Sequence, residues 1–345
     1  RRRRGLRRRG CGRAPLLLER ARQRHGGLAA MVHHVRVRAL LRSIPDGTSR
    51  AVERLDGDGI DPAPLELHLA LTIEGDAATF DFTGTAPQCA GPLNANRAIT
   101  LSAVFYALRV LAGEEIPANS GCLRPVEVTI PPGSLLDPEV PAAVAGGNVE
   151  TSQRLVDLCF AAFAPLLPGR VPAQSQGTMN NCTLGGRHPT PFSYYETIGG
   201  GAGAGPEAPG LSGHHSHMTN TRNTPVEALE RTLPVRVESY TLREGSGGDG
   251  LRPGGEGVVR ILTALSDLDA ALLTERRDHA PAGAEGGGPG HKGENRKRTG
   301  DGREVPLPGK WSGSLAAGES LIIETPGGGG HGEARAETGA SEQEG

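Results

Sequence analysis

The densest concentration of reactive side chains lies between residues 194 and 230. A carboxylate, Glu196, precedes a glycine run that includes Gly199, Gly200 and Gly201. Glycine lets a backbone approach a ligand closely. This run, however, lacks the Lys-Ser/Thr ending of a phosphate-binding P-loop, and no helical pattern of a dinucleotide fold follows it. The glycines therefore do not by themselves predict a nucleotide site.

Three histidines follow on the same stretch, at positions 214, 215 and 217. Imidazole is a metal ligand and, near neutral pH, a general acid or base. Histidines this close in sequence seldom share one metal unless carboxylates join them, and Glu227 and Glu230 would have to fold back to do so. We therefore interpret His217 as an acid–base or substrate-orienting residue, with a solvated loop as the alternative, and predict no metal site.

A second polar stretch covers residues 80–98, with the sequence FDFTGTAPQCAGPLNANRA. Asp81, Thr83 and Asn94 supply a carboxylate, a hydroxyl and an amide that could hold a small polar substrate. The same residue types also form turns in which Asx and Thr side chains bond to their own backbone. The residues alone leave both interpretations open.

Two more polar segments are GNVETSQRL (147–155) and QSQGTMNN (174–181). Glu150 stands where a helix is predicted to begin, so free N–H groups could bind an anion, although ordinary capping explains the segment equally well. Asn180 and its neighbour offer paired amides that can hold an amide or a carboxylate. Glycine clusters at 246–260 and 325–332 are instead typical of close backbone packing.

The elements that must position these residues are mostly short strands. Of 345 residues, 52 are Gly and 27 are Pro while aromatics make up only 3%, so the chain must turn often and build its core from aliphatic side chains. The predicted fold class is α+β, with mixed, predominantly antiparallel sheets, several packing helices and many glycine-rich loops.

Particular segments carry this prediction. Alternating Leu and Ile from Leu65 to Ile73, a turn at Gly75-Asp76 and then Phe80 and Phe82 predict a β-hairpin. Helical spacing predicts helices over 15–43, 99–111 and 151–167, the last opening with hydroxyl caps. Four short segments after Leu233 read as an antiparallel sheet system. Residues 281–302 read as a surface loop.

Charge and composition limit the partners. The first 24 residues hold 11 Arg, and the remaining chain is acidic, with 26 basic against 38 acidic residues. An acidic body argues against nucleic acid, which needs a clustered basic face. The five cysteines include no CxxC pair, and no apolar run approaches the roughly 20 residues of a membrane span. We therefore expect no nucleic-acid or membrane partner and a cytoplasmic location.

In order along the chain, these segments resemble the hydantoinase B / 5-oxoprolinase family. The motifs that carry the resemblance are FDFTGTAPQ, GPLNANRA, PANSGCLRPVEV, PPGSLLDPEVPAAVAGGNVETSQR, QGTMNN, YYETIGGGAGA, HMTNTRNTPVEALE, LPGK and ETPGGGGHG. Their fixed order is far more specific than any single glycine run.

The resemblance implies a B-type subunit that opens a five-membered cyclic amide together with a hydantoinase A-type ATP-binding subunit. ATP and Mg²⁺ would be bound by that partner, not by this chain. The family motifs make Asp81, Glu196 and His217 the candidate catalytic residues. The candidate substrate-binding residues are Thr83, Asn94, Asn180, Asn220 and Glu227, with Gly199, Gly200 and Gly201 shaping the pocket.

The chain also departs from the family pattern. Members usually begin with a long region containing Asp and His residues, where this sequence has an Arg-rich stretch. We therefore expect an amino-terminally truncated, carboxyl-proximal domain over 15–332, flanked by disordered tails at 1–14 and 333–345. Two alternatives follow: a non-catalytic truncated partner of the A-type subunit, or a subunit of an acetone or acetophenone carboxylase-like complex. In every case the polar loops between about residues 80 and 230 should converge on one pocket.

Overall fold

The computed structural model describes residues 35–113, 120–187 and 190–334. Its first layer is a four-stranded sheet in the order β1-β2-β3-β4, antiparallel except for the parallel pair β3–β4. The strands are β1 (Gly47–Leu55), β2 (Leu65–Glu74), β3 (Ala77–Asp81) and β4 (Val126–Thr129). The predicted hairpin is β2–β3 and is confirmed, with Leu71 opposite Phe80.

Helices cover the apolar face of this sheet. They are α1 (residues 35–42), α2 (Arg97–Ala112) and α3 (Ser152–Phe163). The alternate side chains of β2, among them Leu67 and Leu69, are fully buried in one core with residues of α2 and α3. Phe80 meets Phe163 edge-on at a centroid distance of 5.9 Å. Each such buried side chain contributes about 1.5–3 kcal/mol of transfer free energy.

The ends of the helices show what the local sequence encodes. Asn96 caps α2 by accepting from the backbone N–H of Ile99, and the helix ends at Gly113 in the left-handed region. The predicted hydroxyl cap of α3 is wrong, because a π-helical turn (Gly147–Thr151) precedes the helix and continues its backbone. The Thr151 hydroxyl instead donates to the carbonyl of Leu93.

The described chain also forms a sandwich of two antiparallel sheets. One sheet has the order β11-β10-β13-β8-β7 and the other β12-β9-β5-β6. Their bounds are β5 (Asn181–Gly186), β6 (Phe192–Glu196), β7 (Val235–Arg243), β8 (Gly257–Ala264), β9 (Leu268–Leu273), β10 (Glu294–Arg298), β11 (Glu304–Leu307), β12 (Lys310–Leu315) and β13 (Ser320–Glu324), with α4 (Val226–Thr232) beside β7. Aliphatic side chains from both sheets share a second core.

The α+β class and the antiparallel strands after Leu233 are thus confirmed. The surface-loop prediction for 281–302 is wrong in part, because β10 pairs with both β11 and β13 and buries Asn295. The tails predicted at 1–14 and 333–345, apart from residues 333 and 334, and most of the helix predicted at 15–43 lie outside the described residues. Within the described part of the chain, no helix has the length and apolar character to cross a membrane.

The glycine clusters pack backbone against backbone in a bundle of extended segments. In the central segment, Gly327, Gly328 and Gly329 donate in turn to carbonyls of three different neighbouring segments, at His291, Gly255 and Gln174. Of the next three residues, Gly330 and His331 return to two of these segments, at Gly288 and Arg252, whereas Gly332 donates to Ala284. A period of three is that of a polyproline-II-like helix. The predicted close packing is confirmed, because a Cβ at Gly328 would lie 2.0 Å from the carbonyl oxygen of Ala202.

Candidate functional site

The most densely charged part of the interior lies where α3 packs on β1 and meets the loop that follows β9. Arg154 and Asp157 come from α3, Glu53 from β1, and Glu275 and Arg276 from that loop. Their charged groups lie within about 4 Å of one another, as ion pairs between Arg154 and the three carboxylates and between Arg276 and Asp157. Buried charges are tolerated only when they are paired, so the ion pairs of the cluster connect these three segments of the chain.

Arg154 lies at the centre of this cluster and is fully buried. Its Nη2 is 3.6 Å from Glu275 Oε2, and its Nη1 is 3.8 Å from Asp157 Oδ2 and 3.9 Å from Glu53 Oε2. These separations are too long for hydrogen bonds, and among the described residues the guanidinium has no hydrogen-bond acceptor. The guanidinium therefore acts as a diffuse positive charge shared by the three carboxylates.

Asp157 connects this cluster to His217. Its Oδ2 accepts a 2.8 Å hydrogen bond from Arg276 Nη2, and its Oδ1 lies 3.6 Å from His217 Nε2. On the other side of the ring, His217 Nδ1 lies 3.4 Å from the Tyr106 hydroxyl. The rings of Tyr106 and Phe160 pack against the imidazole at centroid distances of 5.7 and 5.8 Å. A histidine facing a carboxylate that another group orients has the arrangement of a general base.

Local backbone features hold this pair in place. His217 has a φ of 56°, which is unusual for a residue with a side chain. Gln153, on α3, donates a 3.1 Å hydrogen bond to the carbonyl of Ser216 and so ties the histidine loop to the helix. Gly177 must be glycine, because a Cβ there would lie 2.9 Å from Asp157 Oδ2 and its φ is +63°. The loop, the helix and the glycine together fix the Asp157–His217 geometry.

Burial perturbs the carboxyl groups around this centre. Burial raises the pKa of Glu53 from its ordinary 4.5 to about 7, against the opposing positive charge of Arg154. Burial, reinforced by the nearby negative charge of Glu275, raises the pKa of Glu150 to about 8. Burial also raises the pKa of Glu275. Buried carboxyl groups with raised pKa values are common at functional sites.

Glu196 lies in the sandwich, and both of its carboxylate oxygens accept hydrogen bonds from other side chains. Its two carboxylate oxygens accept 3.1 Å hydrogen bonds from Nε and Nη2 of the fully buried Arg260. It also accepts from the Tyr194 hydroxyl at 2.9 Å and from Asn223 Nδ2 at 3.0 Å. The geometry gives Glu196 a structural ion pair, and its catalytic assignment stays a prediction.

The residues of the 80–98 loop bond to their own surroundings. Asp81 Oδ1 accepts from the backbone N–H and hydroxyl of Thr83 at 3.0 and 2.6 Å, in an exposed turn. Asn94 is fully buried and bonds through its amide to the backbone of Cys89, Gly91 and Ala143. The local-turn alternative therefore describes this loop, and the catalytic and binding assignments of these residues stay predictions.

Asn180 contacts the loop that carries the predicted glycine run. Its Nδ2 donates to Gln176 Oε1 at 2.7 Å and to the carbonyl of Ile198 at 3.2 Å, and its Oδ1 accepts from Arg277 Nη1 at 2.8 Å. Gly199, Gly200 and Gly201 pack closely against neighbouring segments, since a Cβ at each would lie 2.8, 2.2 and 2.0 Å from its nearest neighbour, and their role in shaping a pocket stays a prediction. Asn220 and Glu227 are exposed.

The expected convergence of these loops on one pocket stays a prediction. Asp81, Glu196 and His217 share no hydrogen bond, ion pair or ring contact among the described residues, and each has its own partners. Across residues 35–113, 120–187 and 190–334, no three His, Cys, Asp or Glu side chains are grouped to hold a metal ion.

Sequence reasoning missed most of the residues that surround His217. A signal was present in the segment RLVDLCFAAF, residues 154–163, where Arg154 and Asp157 interrupt an otherwise apolar helix. Charged residues on a buried helix require partners. The TERR segment, which carries Glu275 and Arg276, was another such signal, since its charges directly follow an apolar strand.

Comparisons with known proteins give one family and a shared fold. A family model described as Hydantoinase B/oxoprolinase matches residues 30–334. The chain is 50% identical over 268 residues to 5-oxoprolinase 1 of Arabidopsis thaliana, covering 77% of this chain and 20% of that protein. It is 29% identical over 309 residues to a putative D-/L-hydantoinase subunit of a Pseudomonas species, covering 86% and 52% of the two chains.

A solved structure has the same fold. The ATP-dependent caprolactamase from Pseudomonas jessenii is similar with a TM-score of 0.80 and 26% identity, over 92% of this chain and 57% of that chain. The chain thus spans about a fifth of the length of the 5-oxoprolinase and little more than half that of the caprolactamase.

Proposed function

The chain belongs to the hydantoinase B/oxoprolinase family, and from that premise we propose that it is the B-type part of an ATP-dependent enzyme that opens cyclic amides. The supporting observation is the 50% identity with a 5-oxoprolinase over most of the chain. The fold shared with an ATP-dependent caprolactamase supports the same chemistry, because 5-oxoproline and caprolactam are both cyclic amides. The preferred substrate is a five-membered ring amide.

An ATP-binding A-type partner completes the proposed enzyme. One relative is named as a subunit of a hydantoinase, which supports a division of the reaction between two subunits or two regions of one longer chain. ATP and Mg²⁺ belong to the A-type part, where ATP makes the ring amide carbon electrophilic. The present chain then contributes the groups that orient the ring and move protons, in an assembly expected in the cytoplasm.

His217 is the proposed proton-transfer residue of this chain. In the neutral imidazole, one nitrogen can accept a proton from the attacking water and the other donates a hydrogen bond. Asp157 faces Nε2 at 3.6 Å and is placed to orient the imidazole ring. Arg276 holds Asp157 in place, so its proposed role is positioning.

The test is turnover by the complete pair. The chain is co-expressed with an A-type subunit, and ATP consumption is followed with 5-oxoproline, hydantoin or caprolactam present. His217→Gln should lower substrate-stimulated turnover by about 10²–10⁴-fold, as loss of a general base does. His214→Gln is the matched control, because His214 lies exposed on the same loop, and it should change turnover less than about twofold.

Two outcomes would contradict the proposal. If a stable complex shows no substrate-stimulated ATP consumption, the chain is a non-catalytic partner of the A-type subunit. If turnover requires bicarbonate and consumes a ketone, the assembly is of the carboxylase type. Equal losses in the two histidine variants would remove His217 from the mechanism while leaving the amide-opening proposal intact.

A further inference from the structure

A cleft of about 480 Å³ opens beside the buried charge cluster, between the β1–β2 connection, the start of β10 and the turn into β12. Its lining includes Asp56, Ile60, Arg277, Asp278, Leu307 and Lys310. None of the residues assigned to proton transfer above lines it. Its volume is in the range of small-molecule sites.

Two cations form the inner part of this cleft. The side chain of Lys310 is only 10% exposed, and its ammonium pairs with the fully buried Glu275. Arg277 donates through Nη1 to Asn180 Oδ1 and to the carbonyl of Glu275, and through Nη2 to Asn295 Oδ1. A guanidinium has five N–H groups, so two of them remain unused among the described residues.

Among the described residues, the Arg277 guanidinium bonds only to amide and carbonyl oxygens and has no carboxylate within ion-pair distance. The Asp56 carboxylate accepts from the backbone N–H of Arg277 at 2.8 Å, and its other oxygen lies 3.0 Å from His279 Nδ1. Burial lowers the pKa of Arg277 to about 10, despite the nearby carboxylates. An additional anion would stabilise the charged guanidinium at this position.

The mouth of the cleft has the opposite charge. Asp278 is exposed, and among the described residues its carboxylate has no hydrogen-bond donor or ion-pair partner. Asp61, also exposed, accepts a hydrogen bond from the backbone N–H of Ala63, at 2.9 Å. The cleft also has an apolar part, with Ile60 72% exposed and Leu307 half-buried. A ligand that matches these three parts carries an anion, an aliphatic body and a cation.

We propose that this cleft binds a small amino acid in its zwitterionic form. The carboxylate lies against Lys310 and Arg277, the ammonium at Asp278 and Asp61, and the aliphatic part against Ile60. Hydrolysis of a lactam such as 5-oxoproline or caprolactam yields such a compound, with one new carboxylate and one new ammonium. Identifying the ligand as the reaction product rests on the proposed function, whereas the binding itself does not.

Calorimetry on the full chain, without partner or ATP, tests the binding. The probes are L-glutamate and 6-aminohexanoate. The control ligands are hexanoate, hexylamine and inorganic phosphate, each of which carries charge of one sign only. 6-Aminohexanoate should bind at least about tenfold more tightly than hexanoate or hexylamine, since each charged contact contributes about 1.4 kcal/mol or more. Equal affinity for hexanoate, binding of phosphate alone, or no binding of either amino acid at millimolar concentration would each overturn the proposal.

A matched pair of variants locates the site. Asp278→Asn should weaken 6-aminohexanoate binding by about tenfold and leave hexanoate unchanged, because it removes one of the two carboxylates at the mouth and neither of the inner cations. Asp269→Asn, an exposed carboxylate on β9 outside the cleft, should change neither. Both positions are exposed, so neither variant threatens folding. Equal affinities in the two variants would place the ligand elsewhere, and because no turnover is measured, this result is independent of the enzyme assay.

Discussion

Replacing Glu196 by Gln separates a structural role for this carboxylate from a catalytic one. In the folded chain the carboxylate is buried and makes a two-pronged ion pair with Arg260. The guanidinium of Arg260 lies 4.5 Å from the centre of the Tyr240 ring, and its Nη1 has no hydrogen-bond acceptor among the described residues. Glutamine keeps the shape of the side chain but removes the carboxylate that compensates Arg260.

The expected loss of stability is large. Removing one partner of a buried ion pair leaves an uncompensated charge and costs about 3–5 kcal/mol. Because 1.4 kcal/mol is a factor of ten, the unfolding equilibrium constant should rise by about two to three and a half orders of magnitude. In urea, the unfolding midpoint should fall by about 1 M or more.

The assay is equilibrium urea unfolding followed by circular dichroism on four proteins. These are the wild type, Glu196→Gln, Arg260→Met and the double variant. Since Met at 260 removes the orphaned charge, the double variant should be more stable than Glu196→Gln alone, with a coupling energy of a few kcal/mol. If Glu196→Gln instead unfolds like the wild type and abolishes turnover in the complete complex, the structural reasoning is refuted and Glu196 is catalytic.

Other variants test the remaining assignments. Gly201→Ala should destabilise the fold by about 1–3 kcal/mol or more through overpacking, since its Cβ would lie 2.0 Å from a carbonyl oxygen, whereas Gly300→Ala, with open space around it, should melt like the wild type. The raised pKa of Glu150 means that its proton stabilises the fold below pH 4.5 and that this stability, a few kcal/mol, is lost as pH rises towards about 8; unfolding of Glu150→Gln should show a weaker decline over that range. Asn94→Ala should lower the melting temperature without changing KM in the complete complex, because its amide bonds to backbone groups. Asp81→Asn, in an exposed turn, should leave both turnover and stability near wild-type values, and a large loss of turnover would restore its catalytic assignment.

The local elements of the fold follow closely from the sequence. Alternation between Leu65 and Ile73 predicts β2 and its buried face because every second side chain of a strand points the same way. The start of α2 is encoded by Asn96 and its end by Gly113. By contrast, β10 has the sequence ENRKR, which has no apolar alternation, and it becomes a strand because its backbone pairs with β11 and β13.

The candidate site follows from the sequence far less completely. His217 was predicted from its residue type, but its carboxylate partner Asp157 is 60 positions earlier in the chain and belongs to a helix that reads as core. Glu196 was assigned as catalytic from the family motif that contains it, whereas its ion pair with Arg260 on β8 is a long-range contact that only the folded chain shows. Polar residue types indicate only that a partner is needed, and the partner itself is a long-range contact.

The sequence by itself determined the family, the strand periodicities and the close packing of the glycine segments, since each is encoded in neighbouring residues or in the order of motifs. Only the tertiary structure decided which polar groups meet. A buried charge needs a compensating partner, and that partner lies on a segment distant in sequence that only folding brings into contact. Glu53, Arg154 and Glu275 come from three such segments. Their shared burial places these three charged groups within ion-pair distance in the interior of the protein.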